Sequence, residues 1–293
     1  MHAEAGGVLA DKSVDAVVIA VPTALHHAVA RMAVNARKPF YLEKPVATTT
    51  DDARDLCALV DSSGLQAAVG FNRRAHPLYV RARELIGSGS VGKVHAVQTV
   101  FSEPTPKDGL PGWKRSRSTG GGVLLDLASH HIDLVRWLLS DEVVSVSAVA
   151  QSLESEGDVA TINMSLCSGA HAQSFFSLRS AYADFVEIFG DRATIRIDRH
   201  LGKLTMMVPR KFGYGARRVT VSGVTDIGWR VRRLARPAED PSYLRALEAF
   251  VQQVRGERSP LASMIDGERS LAVVLAAEEA ARSGSAVRIA TDQ

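Results

Sequence analysis

Cysteine is nearly absent from this 293-residue chain. Cys57 and Cys167 are the only two, and their spacing fits neither a disulfide framework nor a paired-cysteine metal knuckle. A reducing, cytoplasmic setting is therefore expected. No stretch approaches the roughly 18 to 20 apolar residues needed to cross a bilayer, and Met1-His2-Ala3-Glu4 lacks the positive start and apolar run of a secretory leader. Neither membrane insertion nor secretion is expected. An excess of one charge is also missing: 35 basic against 32 acidic residues leave +3, without a charged tail, so the chain as a whole does not read as a polyphosphate binder. Repeats and low-complexity tracts are lacking too. What is there, 46 % apolar and 23 % charged residues with a mean hydropathy of +0.01, is an ordinary globular composition in a chain long enough for about two domains.

The apolar run Val14 to Val21 (VDAVVIAV), ended by Pro22, predicts a strand buried on both faces of a parallel sheet. A helix from Ala24 to Ala36, marked by Thr23, a strand at Phe40-Tyr41-Leu42, a helix from Thr50 and Asp51 to about Ser62, and a strand from Gln66 to Phe71 follow. That alternation is α/β, a partial doubly wound (Rossmann) domain over residues 1–72. Beyond Asn72 the pattern changes: a helix from Pro77 to Ile86, a strand from Lys93 to Phe101, a Pro-rich loop, and a helix from about Val123 to Leu139. Between Val143 and Ile197 come several alternating runs with turns between them, then helices Ser242 to Arg255 and Asp266 to Ser283. Residues 73–293 thus read as an α+β domain with a large, mostly antiparallel sheet, one face of it solvated or partner-covered. Its alternating apolar positions Phe175, Phe185 and Ile188 point to a homo-oligomer, a dimer or tetramer.

A G-x-G-x-x-G pattern exists at Gly87, Gly89 and Gly92, but a helix precedes it and a strand follows, the reverse of what a pyrophosphate site on a helix N-terminus requires. It reads as a helix C-cap and turn. Glu43-Lys44-Pro45 sits just past the second strand, where open α/β sheets bind ligands; a surface ion pair before a turn proline is the plainer reading. Pro22-Thr23-Ala24-Leu25-His26 and Asn72-Arg73-Arg74 end the first and third strands at the same crevice, although Thr23 also suits a helix cap and the arginines a surface. Gly120-Gly121-Gly122 leads into a helix on which Asp126 and His130, at i and i+4, share one face, the material of acid-base catalysis. A buried structural histidine is one alternative. A metal site of His130, His131 and Asp133 is another, disfavoured because adjacent helical side chains diverge by about 100°.

In this order the motifs resemble the Gfo/Idh/MocA family of nicotinamide-dependent oxidoreductases: VDAVVIAVPTALHHAVA, KPFYLEKPVATT, VGFNRRAHP, GSVGKV and GGGVLLDLASHHIDLVRWL, over nearly the whole chain. The resemblance implies NAD or NADP as cofactor and hydride exchange with a secondary alcohol or ketone of a sugar, inositol or related polyol. It implies Lys44, Asp126 and His130 as catalytic residues, with a cis bond before Pro45. Cofactor contacts would come from Pro22, Thr23, His26, Glu43, Lys44, Pro45, Asn72, Arg73 and Trp113; no metal is implied. Selectivity would lie in loops such as Glu103 to Ser118.

Thr23 stands where asparagine is common in the family and Ala128 where glycine is common. The family also opens with a strand, a glycine-rich loop, a helix and two further strands, none of which is expected before Val14. Met1 is accordingly expected to be an internal or misassigned start, with Val14 to Val21 as an unpaired edge. A catalytically inactive, cofactor-free ligand-binding or scaffolding relative, or a truncated gene product, is the alternative function. The basic stretch Arg210, Lys211, Arg217, Arg218, Arg230, Arg232, Arg233 and Arg236, interleaved with Phe212, Tyr214 and Trp229, reads as a solvated loop or oligomer contact, with no nucleic-acid or membrane partner.

Overall fold

The computed structural model describes residues 4–209, 215–220, 240–257 and 259–290. A short helix, α1 (Ala5–Ala10), precedes the first strand and packs on the next helix, an element the apolar pattern did not announce. Strands β1 (Val17–Ile19), β2 (Phe40–Leu42) and β3 (Ala67–Val69) form a three-stranded parallel sheet in that order. Helices α2 (His26–Asn35) and α3 (Thr50–Ser63) are the crossovers. One sheet face, with Ile19, Phe40, Leu42 and Val69, enters the main core.

The first strand is shorter than its apolar run and is not buried on both faces: Val18 is 53 % exposed. Val18 is in register with Tyr41, itself in register with Ala68, on the second face. A later helix covers Tyr41 and Ala68 there through Ala246 and Phe250 but leaves the edge position open. Helix starts also differ from expectation. Thr23 caps nothing, because Thr23–Leu25 is a separate 3-10 turn preceded by Pro22. Thr49, rather than Thr50 or Asp51, caps α3 by accepting from Asp52 N.

Helix α4 (Pro77–Gly87) ends in Ser88, and Gly89 and Gly92 turn the chain at φ 72° and 77° into β4 (Val94–Ser102). This is the helix-to-strand turn expected of the glycine triplet. Strands β4, β5 (Val143–Gln151), β6 (Val159–Leu166), β7 (His171–Ser177), β8 (Ala183–Gly190), β9 (Thr194–Asp198), β10 (Lys203–Pro209), β11 (Ala216–Thr220) and β12 (Val287–Arg288) form a nine-stranded sheet. Its order is β11-β10-β9-β8-β4-β7-β6-β5-β12, and only the β4–β7 pair is parallel. Alternation sorts the faces: Val97, Ile162, Phe176 and Ile188 are buried, while Gln98, Thr161, Asn163 and Gln173 are exposed. Ile188 therefore belongs to the core, and only Phe175 and Phe185 of the proposed oligomer stripe lie half-buried on the open face, where Arg196 stacks 3.7 Å above Phe185. Of the basic stretch, Arg217 and Arg218 lie exposed on β11, whereas Arg210, Lys211, Phe212, Tyr214, Trp229, Arg230, Arg232, Arg233 and Arg236 fall outside the described residues.

Helix α5 (Ser129–Leu139), with α6 (Pro241–Val254) and α7 (Met264–Ser283), completes the fold. A capping box of Ser263 and Asp266 starts α7, which packs against α3 and β3 on one side and α5 and β5 on the other. One continuous hydrophobic core thus serves both sheets. No described helix is long and apolar enough to cross a membrane.

A buried ion pair fixes the turn after β3 to α5: Arg74 donates from Nε and Nη2 to Asp133 at 2.9 and 2.6 Å. Neither side chain is more than 5 % exposed, and removing the carboxylate leaves the buried guanidinium with Asp266, at 3.2 Å, as its remaining counter-ion. Asp133→Ala is expected to lower the unfolding free energy by about 1.5–3 kcal/mol. Glu84→Ala, which breaks the exposed Arg81–Glu84 pair, should change it by no more than about 0.5 kcal/mol. Urea denaturation of the two variants checks this, and equal losses would refute the assignment.

Candidate active site

The carboxyl ends of the three parallel strands converge on one cavity of about 360 Å³. β1 supplies Ala20 and Val21, and β2 supplies Glu43, Lys44 and Pro45; Asn72 and Arg73 come from the turn after β3, and the opposite wall holds Trp113, Lys114, Gly120, Asp126 and His130. The Lys44–Pro45 bond is cis. Of the expected site residues, only Pro22 lies outside this wall; its carbonyl closes the 3-10 turn by accepting from Leu25 N.

His26 is 1 % exposed. Its ring spans the carbonyl oxygens of Pro45 (2.7 Å) and Val21 (2.9 Å), tying the lysine-bearing turn to β1. Burial lowers its pKa against the pull of those two carbonyls. Burial also raises the pKa of Glu43, whose Oε2 accepts from Lys44 N at 3.3 Å.

Asp126 and His130 both face the cavity, but not as neighbours on a continuous α-helix. Residues Leu124–Ala128 form a π-turn, and α5 begins only at Ser129. The Asp126 carbonyl accepts from Lys44 Nζ at 2.6 Å and from Ser129 Oγ at 3.3 Å. The same ammonium reaches Asp126 Oδ1 at 2.9 Å, and Lys114 Nζ takes Oδ2 at 2.7 Å. The carboxylate therefore binds two lysines rather than the imidazole of His130, although both residues line the cavity. Burial would raise its pKa, but Lys44 and Lys114 outweigh that and hold it at about 2.

His130 sits between the rings of Phe71 and Phe101, 6.4 and 6.5 Å away, and its buried Nδ1 has no hydrogen-bond partner among the described residues. Burial, reinforced by the charges of Lys44 and Arg73, drives its pKa well below 6.5, so the ring is neutral near pH 7. His131 turns away from it: it stacks on Phe101 and meets Arg73 (2.6 Å) and Asp184 (3.3 Å). Arg73 thus spends its guanidinium on His131 and Asp184 behind the wall. Asn72 donates from Nδ2 to Ser242 Oγ, and its buried Oδ1 has no partner among the described residues. No group of three His, Cys, Asp or Glu side chains among the described residues is placed to hold a metal ion.

The glycines allow the approach of this loop. A Cβ on Gly121 would lie 2.3 Å from the Lys114 carbonyl oxygen, and one on Gly120 would lie 2.6 Å from Thr23 Cβ. Sequence reasoning named the loop that carries Glu103 and Lys114 without singling either out, and missed Arg199, Asp240 and Tyr243; all five are in the wall. Lys114 follows Trp113 directly, which was signal enough to find it; the others carry no local pattern.

Two family models cover most of the described chain. Residues 4–71 match the oxidoreductase family with an NAD-binding Rossmann fold, and residues 79–196 match the GFO/IDH/MocA C-terminal domain. The chain belongs to the Gfo/Idh/MocA family. The scyllo-inositol 2-dehydrogenase (NAD(+)) of Bacillus subtilis is 27 % identical over 96 % of this chain and 80 % of that protein. The uncharacterised oxidoreductase YrbE of the same organism is 30 % identical over 65 % of the chain, an alignment that spans only 57 % of YrbE. In fold, an NAD-binding oxidoreductase from Klebsiella pneumoniae superposes with a TM-score of 0.86 at 22 % identity, covering 99 % of this chain and 84 % of that one.

The burial of the histidines has a measurable consequence. Burial lowers His76 and His131 to about 4 and holds His130 well below its ordinary value. In the unfolded chain each titrates near about 6.5. Between those values the unfolded chain takes up protons that the folded chain refuses, so stability is flat above about pH 7 and falls as pH drops below it. Each ring contributes up to about 1.4 kcal/mol per pH unit in that window. Urea midpoints measured at about pH 8, 7, 6 and 5 should show this, and a midpoint constant down to about pH 5 would rule it out.

Proposed function

We propose that this chain is an oxidoreductase that moves a hydride between NAD or NADP and a secondary alcohol or ketone of a sugar, inositol or related polyol. The observation that carries this reading is a neutral, buried imidazole with an unpartnered nitrogen, His130, in one cavity wall with the Lys44–Asp126 ion pair. Membership of an oxidoreductase family with an NAD-binding Rossmann fold supports the cofactor, and the scyllo-inositol relative supports the substrate class.

The residues present fit a nicotinamide end. The cavity opens at the carboxyl ends of parallel strands, where such ligands bind, and the unpartnered Asn72 Oδ1 is a buried acceptor in its wall. Thr23, His26, Glu43, Lys44, Pro45, Asn72 and Trp113 would hold the cofactor. Arg73 supports the pocket through Asp184, and Pro22 shapes the turn that presents Thr23. When bound, a nicotinamide accepts hydride from the carbinol carbon or returns it.

His130 takes the hydroxyl proton as the alcohol is oxidised and gives it back when the ketone is reduced. Its neutrality near pH 7 suits it to begin as the base. Lys44 has one N–H left after its two bonds to Asp126, and donates it to the oxygen on the reacting carbon. Asp126 holds that ammonium in place.

The same reading divides the chain into a nucleotide-binding part at 1–72 and a substrate-binding and oligomerisation part at 73–293, each with its own sheet. The open face of the larger sheet, with Phe175 and Phe185, would meet another copy, and the free thiols Cys57 and Cys167 suit the cytoplasm.

Titration with NADH and NADPH, read by nicotinamide fluorescence and followed by a polyol screen, tests the proposal. Binding of neither nucleotide would favour a cofactor-free binding or scaffolding role. With an active substrate in hand, His130→Ala should lower kcat by about two to four orders of magnitude, and an unchanged rate would remove His130 from the chemistry.

A further inference from the structure

Asp126 has two carboxylate oxygens, and two different segments claim them. Lys44, from the turn after β2, takes Oδ1, and Lys114, from the loop before the glycines, takes Oδ2. The carboxylate itself is only 10 % exposed, so both contacts act where water screens little.

Lys114 is not a loose surface lysine that happens to reach inward. Its N–H donates to Pro111 O at 2.9 Å, and the Trp113 carbonyl accepts from Thr119 Oγ1 at 2.7 Å. Its own carbonyl lies against Gly121, where no side chain would fit. Further along the loop, Arg117 donates to Glu278 of α7 and to Thr48 O ahead of α3. The segment is therefore strapped to both halves of the molecule, and its ammonium arrives over Asp126 as part of that strap.

We propose that Lys114 is a positioning residue that acts on the reaction through Asp126. This rests on the functional reading above. With one lysine only, Lys44 would have to neutralise the buried carboxylate and serve the substrate oxygen at once. With Lys114 on Oδ2, the charge of Asp126 is shared between two ammonium groups. Asp126 then stays anionic and fixed in rotation, and Lys44 keeps its remaining N–H for the substrate. Arg at this position preserves the charge on Oδ2; Met fills the space without it.

The test uses Lys114→Met and Lys114→Arg in the full chain. In the cofactor-free protein, the Asp126 side-chain carboxyl is followed by carbon-13 NMR, its resonance assigned by its loss in Asp126→Asn. The expected result is a carboxyl that stays ionised in the parent chain down to the lowest pH at which the fold persists, a titration moved up toward the ordinary carboxylate range in Lys114→Met, and recovery in Lys114→Arg. An Asp126 titration unmoved by Lys114→Met would overturn the proposal, whatever the enzyme's activity.

The second reading is kinetic. Lys114→Met should lower kcat by about 10- to 100-fold, move the acid limb of the kcat profile to higher pH, and leave nucleotide affinity unchanged; Lys114→Arg should restore most of both. A loss that Lys114→Arg does not recover, or one seen only in nucleotide affinity, would reduce Lys114 to a packing role and refute the proposal. A parent chain that turns over no polyol would sink the functional reading instead, and the NMR comparison would still decide whether Lys114 governs Asp126.

Discussion

Asp126 carries a negative charge in a place that water hardly reaches, and the surrounding chain is arranged to make that tolerable. A buried carboxylate without counter-charges would protonate or force the fold open. Here the counter-charges come from distant points of the sequence, Lys44 and Lys114, so the ion cluster also joins the turn after β2 to the loop before the glycines. The same logic recurs behind the cavity wall. Asp184, wholly buried, is held below the usual carboxylate range against the effect of burial, because Arg73, His131 and Arg199 surround it. The histidines that complete the site pay the opposite way and stay neutral.

How much of this could be read beforehand depended on whether the signal was local. The parallel strands, the crossover helices and the Gly89–Gly92 turn all followed from short patterns and their order, whereas the gathering of Lys44, Asp126 and His130 in one cavity was what the family resemblance implied. The failures arise where tertiary packing decides. The π-turn at Leu124–Ala128 has no signature in an otherwise helical stretch, so the relation of Asp126 to His130 was misjudged. Val18 looked like a core residue because hydrophobicity cannot tell an edge strand from a central one. Ile188 was assigned to the open face when its strand's alternation placed it inside.

The residues that gather from far away were the least accessible to such reading. Arg199, Asp240 and Tyr243 belong to β9's exit and to the start of α6, and nothing in their neighbourhoods hints at a shared cavity. Arg73 illustrates a subtler limit. Its position after β3 was read as that of a ligand-facing cation, and it does line the cavity, yet its guanidinium is engaged with His131 and Asp184. Position follows from chain order; the partner a charge finds depends on every element around it.

The place of β4 in the large sheet bears on how the molecule is made. This strand lies between β7 and β8, and everything from 103 to 170 must be synthesised before either neighbour exists. Until then Val97 and Phe101, destined for the core, belong to a strand with both edges bare. Long-range pairing of this kind is slow because loop closure must precede the contacts that reward it. The emerging chain is thus most vulnerable to wrong partners between the synthesis of β4 and that of β8, the interval in which Asp126 and His130 themselves are made.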